Sequence, residues 1–177
     1  MDTMSKEQRS YCMSRIRGKD TKPEVLVRRF LWHHGFRYRK NVRKLPGSPD
    51  IVIRKLKTVI FIHGCFWHGH NVTDLGEEEL GDSICCKVPH SNRTFWLRKI
   101  NRNRERDMIN RTKLIEAGWR VITVWECELS TKKREGTLTH LLAQLNAPSK
   151  LNPYIIPEDS HSAAEPENEY YSRNYKI

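Results

Sequence analysis

Asp50 follows Ser48 and Pro49 at the mouth of an apolar run. The next such run, TVIFIHGCFWHGH (Thr58 to His70), breaks into a cysteine, two aromatics and the histidines His63, His68 and His70. Hairpin pairing of the two runs would bring Asp50 beside the Ile62 and His63 backbone. A lone aspartate after proline is ordinarily a turn residue, but Glu24 opens the helix that precedes these strands and can approach the same edge. Carboxylates converging beside a backbone carbonyl suit Mg²⁺, which takes oxygen ligands and keeps several of its waters. Sulfur and nitrogen form a separate set. Cys65 and His70 share one loop, Cys85 and Cys86 close an acidic stretch, and Cys127 ends a later apolar run. A tetrahedral Cys₃His zinc site would join Cys65, His70, Cys127 and one of Cys85 and Cys86. Without a CxxC pair, ordinary buried thiols at Cys65 and Cys127 account for the spacing equally well.

The elements that must position these groups follow from periodicity. Ser5 to Arg17 carries a sparse helical pattern that buries little. In DTKPEVLVRRFLWHHGF, Asp20 or Thr21 can cap, Pro23 and Glu24 suit a first turn, Val25, Leu26, Phe30 and Leu31 form a stripe, and Gly35 ends the helix. Phe36 to Val42 alternates as a half-exposed strand. LPGSP makes a turn, and DIVIR and TVIFIH read as two strands of a hairpin joined through KLK. Residues 71–86 read as an acidic surface insertion. Ser91 or Asn92 can cap a long helix from Arg93 to Ala117, with Phe95, Leu97, Ile100, Met108, Ile109, Leu114 and Ile115 apolar. WRVITVWEC is a central strand and Thr137 to Leu145 a last helix. Residues 148–177 lose periodicity and read as a flexible polar tail. The domain expectation is a segment 1–20, a domain 21–147 and the tail, in an α/β fold whose mixed sheet is flanked by helices.

Two features bear on partners. Phe66 and Trp67 sit in a turn where apolar rings should not face water. They cap the core, or they form a wedge that enters a base stack, with Met13 and Ile16 as a second pair of apolar probes. Asn103 and Asp107 lie four apart in NRNRERD and can share one helix face toward the site. The 177 residues carry a formal net charge of +11, and a sequence pI near 9.6 with mean hydropathy −0.73 describes a soluble basic protein that attracts a polyanion, nucleic acid foremost. No long apolar span or signal-type leader is present, which points to the cytoplasm and away from a membrane. There the five cysteines stay reduced and favour metal over disulfide.

The blocks LPGSPDIVI, TVIFIHGCFWHGH, FWLRKINRNRERD and AGWRVITVWEC, in this order between Lys6 and Cys127, resemble the very-short-patch repair (Vsr) endonucleases, DNA mismatch nucleases of the PD-(D/E)XK superfamily. The resemblance implies a restriction-endonuclease-like αβββαβ core with a structural zinc site. It implies a Mg²⁺-dependent enzyme that nicks duplex DNA 5′ to the thymine of a T:G mismatch left by deamination of 5-methylcytosine, a monomer with mismatch-repair proteins as candidate partners. Asp50 and the Ile62 carbonyl would bind Mg²⁺. Glu24 and His68 would hold metal-bound waters, with His68 as base, and His63 and Asp107 would complete the catalytic cluster. Cys65, His70, Cys127 and Cys85 or Cys86 would bind zinc. Phe66, Trp67 and His68 would enter the stack, Met13 and Ile16 would approach from the other groove, and Asn103 would lie at the DNA. His63 stands near where the superfamily has an acidic residue and a lysine, and residues 71–84 separate the zinc ligands more than the family pattern does.

Three other readings compete. A zinc-stabilised binder of distorted DNA needs none of the carboxylates. A related nuclease with another target leaves the CFWH wedge unexplained. An HNH-type ββα-metal unit does not fit His63 at the end of an apolar strand.

Overall fold

The computed structural model describes residues 5–15, 18–71, 85–89 and 92–147. Ile16, the side chain of Met13, most of the acidic insertion and the tail 148–177 lie outside the described residues.

Helix α1 (Lys6–Ser14) is capped reciprocally by Ser5 and Gln8. The Gln8 N–H donates to Ser5 Oγ at 3.2 Å and the Ser5 N–H to Gln8 Oε1 at 2.9 Å. Helix α2 (Lys22–His33) starts at Thr21 with Pro23 in its first turn, and the chain leaves it through Gly35 at φ +83°. Its buried face is Glu24, Val27, Arg28 and Leu31. Of the stripe read from the sequence, Leu31 is fully buried and Leu26 and Phe30 pack partly buried against the same core, while Val25 is half-buried and Val27, Glu24 and Arg28 join the inner face.

Strands β1 (Arg39–Lys40), β2 (Ile51–Ile53), β3 (Thr58–His63) and β4 (Arg120–Trp125) form one mixed sheet in the order β1-β2-β3-β4. The first two pairings are antiparallel and β3-β4 is parallel. β1 is far shorter than the expected Phe36 to Val42, because its partner β2 offers three residues and Asn41 turns away at φ +50°. The β2-β3 hairpin closes through a 3₁₀ turn, Arg54–Leu56, and Lys57 at φ +44°.

Residue alternation decides what covers each face. Ile51, Ile53, Ile60, Ile122 and Val124 pack under α2 and helix α5 (Arg134–Asn146), through Val27, Leu31, Leu138, Leu141 and Leu145. Val52 and Val59 pack on the other side against Leu114, which belongs to α4 (Arg93–Glu116). One-turn helix α3 (Cys65–His68) lies between β3 and α4. Asn92 stands at the N-cap of α4 without a side-chain cap bond, and Ser91, the alternative cap, lies outside the described residues. One expectation for α4 fails: Phe95, Met108, Ile109 and Ile115 are exposed, leaving only Ile100 and Leu114 buried. The 24-residue helix is about 36 Å long, while a six-residue strand spans about 20 Å, so much of the helix overhangs the sheet.

Candidate active site and metal centre

The C-terminal end of β3 opens into a cleft of about 1590 Å³ that Glu24, Asp50, His63, Trp67, His68 and Asp107 help to line. Register explains the convergence. Ile51, the first residue of β2, pairs with Ile60, so Asp50 lies one step before the strand begins, and its Oδ2 accepts the Ile62 N–H at 2.8 Å. The N–H and C=O of one strand residue point to the same side, which turns the Ile62 carbonyl toward Asp50. Burial pushes the Asp50 carboxyl up to about 6, and the nearby Glu24 charge adds to this. The Ile62 N–H, Arg28 and His68 pull it the other way.

That shift predicts a pH dependence. A carboxyl whose folded value lies above its ordinary 3.8 stabilises the fold fully below pH 3.8, and this contribution is lost as pH rises through about 6. The metal-free protein therefore gives up about 2–3 kcal/mol over that window. A divalent cation at Asp50 removes the penalty. Its calorimetric affinity should rise about tenfold per pH unit up to pH 6 and then level off; a flat profile from pH 5 to 7 would count against a cation at Asp50.

Across the cleft, His68 Nδ1 and Asp107 Oδ2 are 2.5 Å apart. Burial works against ionisation of Asp107, yet the bond and charge of His68, with His63 and Arg106, hold it below the usual carboxylate value. An ionised Asp107 keeps the proton of His68 on Nδ1 and leaves the Nε2 lone pair to accept one. His63 stacks on His68, with centroids 3.8 Å apart and planes 6° from parallel. Burial first, then the charges of His68 and Arg106, drives His63 down to about 4, against the pull of Asp107. His63 is therefore neutral at physiological pH.

Gly64 and Gly69 bracket α3, with Gly69 left-handed at φ +60°. A Cβ there would stand 2.7 Å from Ile100 Cγ2, so α3 sits on α4 only because the residue is glycine. Asn103 Nδ2 donates to the Trp67 carbonyl at 2.9 Å, which ties the aromatic turn to α4. Phe66 and Trp67 meet edge-on at 5.0 Å, and Trp96 packs against both at 5.2 and 6.2 Å. Lys99 Nζ lies 5.3 Å from the Trp67 ring centre and 5.5 Å from that of Trp96. Trp96 and Lys99 did not stand out in the sequence; the available signal was a tryptophan followed three residues later by a lysine, at helical spacing.

Beside the cleft, Cys65, His70, Cys85 and Cys127 offer ligand atoms within 4.8 Å of one another. His70 Nδ1 lies 3.3 Å from Cys85 Sγ, 3.3 Å from Cys127 Sγ and 3.7 Å from Cys65 Sγ. A tetrahedron with ordinary Zn–S and Zn–N bonds has edges of about 3.5–3.8 Å, so the donor set fits such an ion. Burial pushes the Cys65 thiol up to about 12 and raises Cys127, a penalty that a bound cation reverses. Cys86 is not a member. It is buried, and its Sγ lies 3.9 Å from the Phe66 carbonyl. The His70 ring stacks on Trp125 at 4.0 Å and 8°.

The structure thus brings Asp50, Glu24, Ile62, His63, His68 and Asp107 to one cleft that Trp67 also lines, with Phe66 and Asn103 in contact with Trp67. The arrangement can hold a hard cation on oxygen, accept a proton at His68 Nε2 and present a rigid aromatic edge. No described helix is long and apolar enough to cross a membrane.

The family model for DNA mismatch endonuclease Vsr matches residues 1–74. The type II nicking enzyme V.NmeAIP of Neisseria meningitidis serogroup A is 51% identical over 133 residues, 74% of this chain and 86% of that protein. The type II nicking enzyme V.XorIIP of Xanthomonas oryzae pv. oryzae is 43% identical over 129 residues, 73% of this chain and 87% of that protein. DNA mismatch endonuclease Vsr of Escherichia coli K12 is 38% identical over 133 residues, 75% of this chain and 78% of that protein.

Proposed function

This chain belongs to the Vsr family of DNA endonucleases, and from that premise we propose that it nicks one strand of duplex DNA 5′ to the thymine of a T:G mismatch, with Mg²⁺ as cofactor. It is a hydrolase of phosphodiester bonds, and the relatives named as nicking enzymes favour single-strand over double-strand cleavage. The element order α2-β1-β2-β3-α3-α4-β4, in which α3 is a single turn, supports a restriction-endonuclease-like core.

The observation that carries the reading is that one loop, residues 63–70, joins the catalytic and the probing groups. Asp50 and the Ile62 carbonyl would hold Mg²⁺, a fit with a buried carboxylate that makes no ion pair with a Lys or Arg among the described residues. When bound, Mg²⁺ lowers the pKa of a water and offsets charge gathered on the phosphate. His68, held through Nδ1 by Asp107, takes the proton of the attacking water at Nε2. Neutral His63 keeps that ring in place by stacking and adds no competing charge. Glu24 faces the same space and orients water. Zn²⁺ in the Cys65, His70, Cys85 and Cys127 cluster would fix the loop at its far end.

Phe66 and Trp67, braced by Trp96 and by the Asn103 bond, would enter the stack beside the mispair. A mispaired step costs less to unstack than a paired one, and the difference becomes specificity. Met13 and Ile16 would approach from the opposite groove, and the enzyme would act as a monomer in the cytoplasm, with mismatch-repair proteins as candidate partners.

Trp67→Ala tests the wedge. Nicking of a T:G duplex should fall about 10- to 100-fold, the worth of one stacked base contact, while low-salt affinity for fully paired duplex stays within about threefold. Unchanged preference for T:G over T:A would remove Trp67 from recognition.

A further inference from the structure

Arg28 is a guanidinium buried behind the carboxylates of the cleft, and neither metal coordination nor proton transfer uses it. It is 6% exposed. Its Nη2 donates to Glu24 Oε2 at 2.5 Å and its Nη1 to Asp20. Its Nε has no partner among the described residues. The other Glu24 contacts complete a cage: Oε1 accepts the Thr21 hydroxyl at 2.9 Å, and Oε2 also accepts the Asp20 N–H at 3.1 Å. Asp20 holds φ +52° to make this contact, and Lys40 Nζ stands 3.7 Å from its carboxylate. On the backbone side, the Tyr38 hydroxyl donates to the Arg28 carbonyl at 3.1 Å.

A buried arginine with an orphaned N–H is costly, and an apolar side chain would serve packing against Val27 and Leu31 better. Electrostatics accounts for its presence. Without Arg28, Glu24 and Asp50 would leave two uncompensated carboxylates in the cleft, with the half-exposed Asp20 beside Glu24, and a divalent ion would bind there tightly with Glu24 free to swing into its coordination shell. A carboxylate in that shell displaces one of the waters the reaction needs.

We infer that Arg28 is a positioning residue: it locks Glu24 in one orientation outside the cation's direct shell and weakens cation binding in exchange for retained waters. This inference rests on the reading of the cleft as a divalent-cation nuclease site.

The test compares wild type with Arg28→Met and Arg28→Lys by two readouts. One is calorimetric binding of Mn²⁺ to the free protein, Mn²⁺ being a probe that oxygen ligands suit and a thiolate cluster disfavours. The other is single-turnover nicking of a T:G duplex at saturating cation. Arg28→Met should bind Mn²⁺ about tenfold more tightly and nick at least about tenfold more slowly. Arg28→Lys should keep affinity within about twofold, since it keeps the charge, and still nick slowly, since it loses the two-carboxylate fork. Should Arg28→Met fail to fold, Arg28→Gln carries the same comparison. Mn²⁺ binding that is unchanged or weaker once the charge is removed would overturn the inference and leave Arg28 a structural pin. If wild type nicks no T:G duplex, the function proposed above falls, and the Mn²⁺ titration still decides the role of Arg28.

Discussion

Asp50→Ala is expected to reduce nicking by at least about 10³-fold while leaving duplex binding within about threefold. Asp50 is the side-chain carboxylate that the sheet places beside the Ile62 backbone, and no other group in the cleft can replace its oxygen at that point. Glu24 cannot, because its bonds to Arg28, the Thr21 hydroxyl and the Asp20 N–H hold its carboxylate in one place. His63 and His68 supply nitrogen, which Mg²⁺ accepts poorly. Removing a carboxylate that burial has pushed up to about 6 also relieves a folding penalty. The variant should therefore melt at or slightly above the wild-type temperature above pH 6. Loss of activity together with retained or improved stability separates a missing ligand from a damaged fold. A variant that still nicks within tenfold of wild type would move the cation elsewhere in the cleft.

The second large effect concerns the Cys/His cluster. Cys65→Ala or Cys127→Ser should release one equivalent of zinc, measured by a colorimetric chelator on the denatured protein. Either should also lower the melting midpoint by at least about 10 °C, corresponding to on the order of 4 kcal/mol or more. Cys86→Ala should release none. The contrast follows from geometry. Cys65, Cys85 and Cys127 surround His70 Nδ1 at 3.3 to 3.7 Å, whereas the Cys86 thiol is directed to the Phe66 carbonyl. Because Cys65 opens α3 and His70 follows Gly69, loss of the ion should free His68 and Trp67 together. Nicking should then fall with stability. Full zinc content in Cys127→Ser would take Cys127 out of the site.

Much of this was legible in the residues because burial enforces period. Ile51 to Ile53 and Thr58 to Ile62 are covered on both faces, so they read as strands, and a hairpin between them leaves Asp50 few places other than beside Ile62. The four-residue spacing of Asn103 and Asp107 suggested that both could face the site; Asn103 bonds the Trp67 carbonyl and Asp107 bonds His68. Other features were hidden for physical reasons. Charged side chains on a buried helix face look like solvent positions, so Leu26, Phe30 and Leu31 were read as the inner face of α2 while Val27 and Arg28 were passed over. The apolar residues of α4 look like core, but the helix is longer than the sheet it covers, and Phe95, Met108, Ile109 and Ile115 stay exposed. Cys85 and Cys86 differ by one position in an irregular segment with no period to rank them; only the three-dimensional closure on His70 does so. Trp96 joins the wedge through helix packing that spacing within one segment cannot convey.

The central claim is that one loop both finds a T:G mispair and cuts beside it. The most direct measurement is strand-resolved nicking, with Mg²⁺, of labelled duplexes that differ only in one T:G against one T:A pair, for wild type and Asp50→Ala across a set of flanking sequences. The account predicts a single nick on the 5′ side of the mispaired thymine by wild type, none in the T:A duplex, and mismatch binding without cutting by Asp50→Ala. Equal nicking of both duplexes, or mismatch binding by wild type without a nick in any flanking sequence, would contradict it.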